Sequence, residues 1–421
     1  MNPIKNPFYN PLIPEEGVIS LVKEWSEREK KGDRNARQDA VFKIEKYLMK
    51  TADGSYTLQS DVRDKSSETM HTRHGAFYEA NEKFVNPSGI ENKEKIAILD
   101  ICSGLGINAS AALENLLYSE SDVKLEMIEI DMVEISWETL AASLIIPSPS
   151  ESHLLVKKAI ENYLIKQGML QFPKEEKEIP DHVNIRVYCK DAREMVTEIP
   201  KTRRYDAVFL DPFSPAKSPE LYSYEFLSEI SSLLKADGVI LTYTSAAPVR
   251  YAIMDIGLEV GEGPEIGRSG GTIASYDLNK IPHDLSENDE RMIALSDAGI
   301  PYRDPELNLS AEKIIENRQV ERITIRGVTK MASTVKTPVK LVTDLDDERQ
   351  KRRVLKHLKK FGIDDLNSLK SRFLVCPQFS NCICNCGHGR PSTSRARIKE
   401  MEKRLEIITN GNFKNDRLNN H

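Results

Sequence analysis

Long apolar runs are missing from this sequence. Nowhere do about 18 consecutive apolar residues occur, the length a membrane-crossing helix needs. The first residues, MNPIKNPFYNPLIPEEG, lack the basic-then-apolar order of a secretory signal, so a cytoplasmic setting without a membrane partner is expected. Cysteine is scarce, with six in 421 residues, too few and too unevenly spread for a disulfide scaffold. Cys102 and Cys189 stand alone, and the other four fall within residues 376–386. Internal repeats and long low-complexity tracts are also missing. The remainder is 39% hydrophobic and 29% charged, which fits a globular protein long enough for two or three domains.

Charge is unevenly shared. The net charge is −6, yet residues 326–421 hold 21 lysines and arginines against 10 acidic residues. An acidic body therefore carries a basic tail. Such a tail suits a polyanionic partner, or is simply a solvated helical surface.

Residues 1–50 read as mainly helical, and TADGSYTLQS (51–60) as a strand or hairpin after an Asp-Gly turn. From residue 95 to about 277, apolar strands alternate with helical stretches. The strands are IAILDIC, VKLEMIEID, VNIRVYCKD, YDAVFLD and GVILTYT, with KADG (235–238) as a turn between helix and strand. This alternation predicts an α/β fold with a mostly parallel sheet. Charged helical segments and a C-terminal module follow.

IAILDICSGLGINAS places a strand, a turn at Gly104 and Gly106, and a helix start. Glycine allows a sharp turn and a close ligand approach. The stretch matches neither GxGxxG, because Ala109 replaces the last glycine, nor a phosphate-binding P-loop. Three later strands end on acids: Glu129 and Asp131, then Asp191, then Asp211. With Asp100 on the first, four strands are expected to bring carboxylates to one edge. One such acid is commonly a helix cap. A series beside a glycine turn suits a ligand with ribose hydroxyls, an exocyclic amine and positive charge, as in S-adenosylmethionine. A pyrophosphate cofactor would be repelled.

Four stretches carry a resemblance to a known family. They are TADGSYTLQS with ETMHTRHGAFYEANEKFV, then CSGLGIN, then FLDPFSPAKSPELYSYEFL, then GRSGGTIAS (267–275). Together they resemble the methyltransferase domain of MnmC, the tRNA wobble-uridine modification enzyme, and its stand-alone relatives, over roughly residues 50–325. The Asp-Pro-Phe-Ser-Pro-Ala-Lys stretch is the most distinctive. The resemblance implies a Rossmann-like class I methyltransferase with a seven-stranded, mostly parallel sheet, plus a helical, basic C-terminal extension. The expected parts are residues 1–50, 51–325 and 335–421. It implies N-methylation of the aminomethyl group of the wobble uridine in tRNA, with S-adenosylmethionine as cofactor. Gly104 and Gly106 would pass close to the cofactor. Asn108 would hold its methionine portion, Glu129 its ribose and Asp191 its adenine amine. Asp211 would sit at the reacting centre. Cys102 departs from the glycine usual in the family. No sign appears of the flavin oxidoreductase domain of the bifunctional members.

The Asp-Pro-Phe motif has a chemical rationale. An alkylamine titrates at about 10.4, so reaching its neutral form at pH 7 costs about 4.6 kcal/mol. Asp211 can accept one N–H, and the carbonyl of Pro212 or Phe213 another, which aims the lone pair. Phe213 offers a face to a uracil ring. The alternative is a proline-rich connection with an Asp cap.

His71, Arg73, His74 and Glu79 form either a segment over the cleft or a surface turn. Lys217 touches RNA phosphate or faces solvent. Tyr243 and Thr244 line the cleft or are packed. Arg268, in a glycine-rich turn, is a further phosphate candidate. CPQFSNCICNCGHG gathers Cys376, Cys382, Cys384, Cys386 and His388, at a spacing outside ordinary zinc modules but able to chelate zinc or an iron–sulfur cluster. Basic stretches flank it at 349–360 and 390–404 and suit phosphate contact. Two other functions compete. One is a small-amine enzyme on the same scaffold, such as an aminopropyl transferase. The other is a non-catalytic RNA- or metal-binding protein.

Overall fold

The structure, a computed structural model, describes residues 13–61, 68–70, 74–118, 124–266 and 269–413. Two short strands come first. β1 (Met49–Lys50) and β2 (Tyr56–Thr57) pair antiparallel. Asp53 and Gly54 lie inside this hairpin rather than before it, and Asp53 Oδ1 accepts the Ser55 amide at 2.9 Å. The main sheet follows: β3 (Lys95–Ile101), β4 (Met127–Glu134), β5 (Val183–Cys189), β6 (Tyr205–Leu210), β7 (Leu234–Thr242), β8 (Glu259–Ile266) and β9 (Ser269–Ser275). Its order is β5-β4-β3-β6-β7-β9-β8. The first five strands run parallel, while β9 is antiparallel to both β7 and β8. This is the expected seven-stranded, mostly parallel sheet.

The central strands are buried on both faces, which is why they read as continuous apolar runs. Alternate residues enter different cores. Leu99, Val208 and Ile240 face one, and Ile98, Phe209 and Leu241 the other. The helix Glu16–Lys30 adds Val18, Val22 and Trp25 to the second core. The C-terminal extension adds Val354, Leu358, Leu374, Met401 and Leu405 to the first. The extension thus shares its hydrophobic core with one face of the sheet.

Two strand boundaries differ from the sequence reading. β4 does not stop at Asp131 but runs to Glu134, because Met132 and Val133 continue the buried pattern. The KADG stretch is not a turn between elements. It lies within β7, where the pairing with β6 jumps from Tyr205↔Leu234 to Ala207↔Val239. Gly238 fits that irregularity because a Cβ there would sit 2.7 Å from the Tyr205 carbonyl oxygen.

β3 has β4 on one side and β6 on the other, so the chain order reverses between β3 and β6. The crevice at the carboxyl ends of these strands is where open α/β sheets bind ligands.

Arg397 joins the extension to the body. Its Nη2 and Nε lie 2.7 and 2.9 Å from Glu290 Oε1. Both side chains are almost fully buried. Arg397→Met alone should lower the unfolding free energy by about 3–5 kcal/mol, because Glu290 is left buried without its cation. Adding Glu290→Met should recover most of the loss, as read by urea denaturation.

Candidate active site

The turn after β3 opens with strain. Cys102 adopts a left-handed φ of 62°. For a non-glycine residue this costs roughly 1–2 kcal/mol, and it is the position where the resembled family has glycine. Gly104 follows at φ 52°, where a Cβ would sit 3.8 Å from the Cys102 carbonyl oxygen, an ordinary contact, so it is the positive φ that favours glycine there. The end of β4 fixes this turn. Glu134 Oε2 accepts the Gly104 amide at 3.1 Å, and Oε1 accepts the Ser136 amide at 2.9 Å. Burial pushes the Glu134 carboxyl up.

β6 delivers Asp211. Its amide donates to the Ile101 carbonyl at 3.2 Å, so the end of β3 positions it. Its Oδ2 accepts Asn108 Nδ2 at 2.9 Å. Asn108 stands in the first turn of the helix Ile107–Tyr118, directly after the glycines. The glycine turn and the Asp-Pro-Phe loop are therefore tied by one hydrogen bond. Burial pushes the Asp211 carboxyl up to about 7 against the opposing effect of Asn108; Glu79 adds to the rise and Lys83 opposes it. Asp100, fully buried, lacks a well-formed hydrogen bond at either oxygen. Burial and the charge of Asp211 drive its carboxyl well above the ordinary range, and the nearby Asn108 side chain and Ala109 amide offset only part of this.

Asp211, Pro212 and Phe213 border a cavity of about 570 Å³ together with Cys102, Gly104 and Glu134. The loop is braced from two sides. Tyr222 Oη donates to the Pro212 carbonyl at 3.3 Å. The Ser214 amide and hydroxyl donate to Glu68 at 3.1 and 2.6 Å. Opposite stand Glu79 and Lys83, 3.6 Å apart on the helix Ala76–Ala80 and the π-helical turn Asn81–Val85 that continues it. Such π-turns are frequent at functional sites. Tyr243 also lines the cavity, while Thr244 is buried behind it with its carbonyl accepting from Thr272.

Several expected site residues stand elsewhere. Glu129 is not at the cleft. It lies in the first half of β4, 3.0 Å from Arg186 and 3.2 Å from Arg203. Asp131 is buried in the same cluster, bonded to Arg186, Arg203 and Tyr205. The acid at the ligand edge is Glu134. Asp191 caps the helix Ala192–Glu198, and its carboxylate is held by Arg193 at 3.0 Å. Its neighbours Lys190 and Ala192, not Asp191, border the cavity. Gly106 does not border it either: a Cβ there would meet Val156 Cγ1 at 2.6 Å, so this glycine serves helix packing. Asp100 lies just beneath the wall. Lys217 is neither solvent-facing nor on the wall but buried. His71, Arg73 and Arg268 lie outside the described residues. The sequence reading missed Glu134, Lys83, Glu220 and Tyr222. For Glu134 the available signal was the apolar Met132-Val133 pair, which prolongs the strand.

The wall is acidic, with Glu68, Glu79, Glu134, Asp211 and Glu220 against Lys83 and Lys190. It suits a cationic or hydrogen-bond-donating ligand and disfavours phosphate.

Known proteins match parts of this chain, a family model spanning β5 to β9. Residues 151–277 fit the family described as S-adenosyl-L-methionine-dependent methyltransferase. An uncharacterized protein of Methanocaldococcus jannaschii is 35% identical over 315 residues, 74% of this chain and 83% of that protein. The tRNA 5-methylaminomethyl-2-thiouridine biosynthesis bifunctional protein MnmC of Pseudomonas entomophila is 23% identical over 211 residues, 49% of this chain. The matched part is only 30% of that relative's length. The solved structure of MnmC2 from Aquifex aeolicus aligns with a TM-score of 0.52 at 28% identity, over 71% of this chain and 96% of that one. With a glycine turn, an acidic strand end and a buried Asp-Pro-Phe carboxylate around one cavity, the chain belongs to the MnmC-like family of S-adenosylmethionine-dependent methyltransferase domains.

Proposed function

We propose that this enzyme methylates the primary amine of 5-aminomethyluridine at the wobble position of tRNA, without flavin-dependent oxidoreductase activity. The observation that carries the reading is Asp211, a carboxylate on the wall of the cavity of about 570 Å³ at the strand ends, with a proton affinity matched to neutral pH. The relatives named for tRNA 5-methylaminomethyl-2-thiouridine biosynthesis support the substrate.

The residues present fit the cofactor. Glu134 keeps lone pairs beyond its two amide bonds for ribose hydroxyls, and Gly104 leaves room for close approach. S-adenosylmethionine supplies an electrophilic methyl group on a sulfonium. Asp211 accepts an N–H of the substrate amine and takes up the proton that the amine must lose. Asn108 holds the carboxylate in place. The Pro212 carbonyl, with Tyr222 on one lone pair, keeps the other for a second N–H. Phe213 supplies an apolar face for the uracil ring.

The same wall is a poor place for the tRNA backbone. A better surface is the helix Glu348–Leu358. Val354 and Leu358 are buried, whereas Arg349, Arg352, Arg353 and Lys356 are exposed, followed by exposed Lys359 and Lys360. The positive field is strong enough that Lys360, Lys356, Arg326 and Arg353 add to burial in pushing His357 down. We assign phosphate contact to this face and zinc-type metal binding to the cysteine cluster beyond it.

Asp211→Asn should lower kcat/KM by about 10²–10⁴-fold, with S-adenosylmethionine affinity by calorimetry nearly unchanged. In the parent enzyme kcat/KM should rise with pH through about 7 as Asp211 ionises, and this limb should vanish in Asp211→Asn. Asn108→Ala should move the limb to higher pH, since it removes the hydrogen bond that favours the ionised form. Labelled methyl appearing in polyamine but not in wobble uridine, by nucleoside mass spectrometry, would instead favour the small-amine reading. Replacing Arg349, Arg352, Arg353 and Lys356 by alanine should weaken tRNA binding. The slope of log K against log salt should flatten by about 0.7–0.9 per lost contact, while methylation of the isolated nucleoside persists. An unchanged slope would move the tRNA contact elsewhere.

A further inference from the structure

Cys376, Cys382, Cys384 and Cys386 bring their four sulfurs within 4.8 Å of one another. The individual separations are telling. Cys382 Sγ lies 3.8 Å from Cys376 Sγ, 4.0 Å from Cys384 Sγ and 3.7 Å from Cys386 Sγ. A tetrahedron of Zn–S bonds of about 2.3 Å has edges of about 3.8 Å. In a [4Fe–4S] cluster each thiolate binds a different iron, and in a [2Fe–2S] cluster two bind each of two irons, so in either case the four sulfurs span more than a single-ion tetrahedron. All four cysteines are free thiols here.

We propose that these four thiolates hold a single zinc ion in a closed structural site. The local chain is shaped for it. Cys376 is presented at the end of the helix Leu369–Val375. Asn385 and Gly387 take left-handed φ values of 61° and 74°. Asn385 curls the Cys-Asn-Cys stretch and brings Cys384 and Cys386 closer than the roughly 6.6 Å that separates residues i and i+2 on one face of an extended strand. Asn and Gly are the residues that adopt this conformation most readily.

A second observation points the same way. Four thiolates on one divalent ion leave a net charge of −2, which favours a nearby cation. Arg404 brings one positive charge to the sulfurs and shares it with Glu400, 2.8 Å from its Nε. It is 2% exposed, and its Nη1 and Nη2 lie 3.8 Å from Cys384 Sγ and 3.5 Å from Cys386 Sγ. It also donates to the Phe373 carbonyl at 2.8 Å. The guanidinium thereby links the sulfur loop, the helix Leu369–Val375 and its own helix, Ser394–Thr409. With four protein ligands there is no open coordination position, so the ion staples this corner and takes no part in methyl transfer. The inference makes the metal assignment of the proposed function specific and is independent of the tRNA reading.

The test uses the full chain, purified anaerobically. Elemental analysis should find about one zinc per protein and no stoichiometric iron or sulfide. Cobalt exchanged into the wild-type protein should give the intense visible absorption of a tetrahedral tetrathiolate. Cys382→Ser should lose the zinc and lower Tm. Arg404→Gln should retain the ion with about 10–100-fold weaker affinity. Bound iron with sulfide, bound iron alone, or four titratable thiols without metal in the wild-type protein would each overturn the assignment. Metal content is read without any activity assay, so failure here and failure of the methyltransferase reading are distinguishable.

Discussion

A carboxylate that must stay buried yet reactive sets the terms for the rest of this molecule. Asp211 stands where the chain order reverses between β3 and β6, at the carboxyl ends of two paired strands, outside which open α/β sheets bind ligands. Its amide is pinned to the end of β3 and its side chain to Asn108. Burial alone makes such a group expensive to ionise. One charge-assisted hydrogen bond from Asn108, with Lys83 behind, keeps its affinity for a proton near neutrality. The same bond makes the glycine turn and the Asp-Pro-Phe loop a single unit. Residues that shape the turn therefore also position this carboxylate, and among them Cys102 is held in a conformation that favours glycine.

Much of this was legible from the chain. Parallel strands buried on both faces leave continuous apolar runs, so β3, β6 and the core of β7 announce themselves. Asp211 was legible because a proline-rich stretch after such a strand has few purely structural reasons to exist. Glu134 was not, and the cause is physical. Glu129 and Asp131 look like strand-end acids, but Arg186 on β5 and Arg203 before β6 neutralise them mid-strand. Those partners lie more than fifty residues away in sequence, and only the folded sheet brings them together. Asp191 shows the opposite ambiguity. A capping carboxylate and a ligand-binding one occupy the same position after a strand, and Arg193 decides between them. Lys217 reads as an exposed cation in a polar loop, yet the loop folds inward and buries it.

The extension could be recognised as basic but not as part of the body. Its apolar residues are spaced among charges, and only their shared packing with Leu99, Val208 and Ile240 shows one continuous core. Buried ion pairs fix the junction. Arg397 meets Glu290, and Gln378 donates to the same glutamate at 2.8 Å. Gln378 sits two residues after Cys376, so the sulfur loop is anchored to the sheet domain through the same carboxylate.

Charge then divides the labour. The cavity wall presents carboxylates, which favour an amine and repel a phosphate; the exposed face of the Glu348–Leu358 helix presents the reverse. The tRNA substrate proposed above, a polyanion with one reactive amine, would need both at a fixed separation, its backbone gripped while a single nucleotide enters an acidic hollow. A flexible basic tail would supply attraction without register. A tail that shares the core of the sheet, tied by a buried ion pair and closed by a sulfur-rich corner, supplies both. On this argument the rigidity of the extension, rather than its net charge, is what relates it to the chemistry at Asp211.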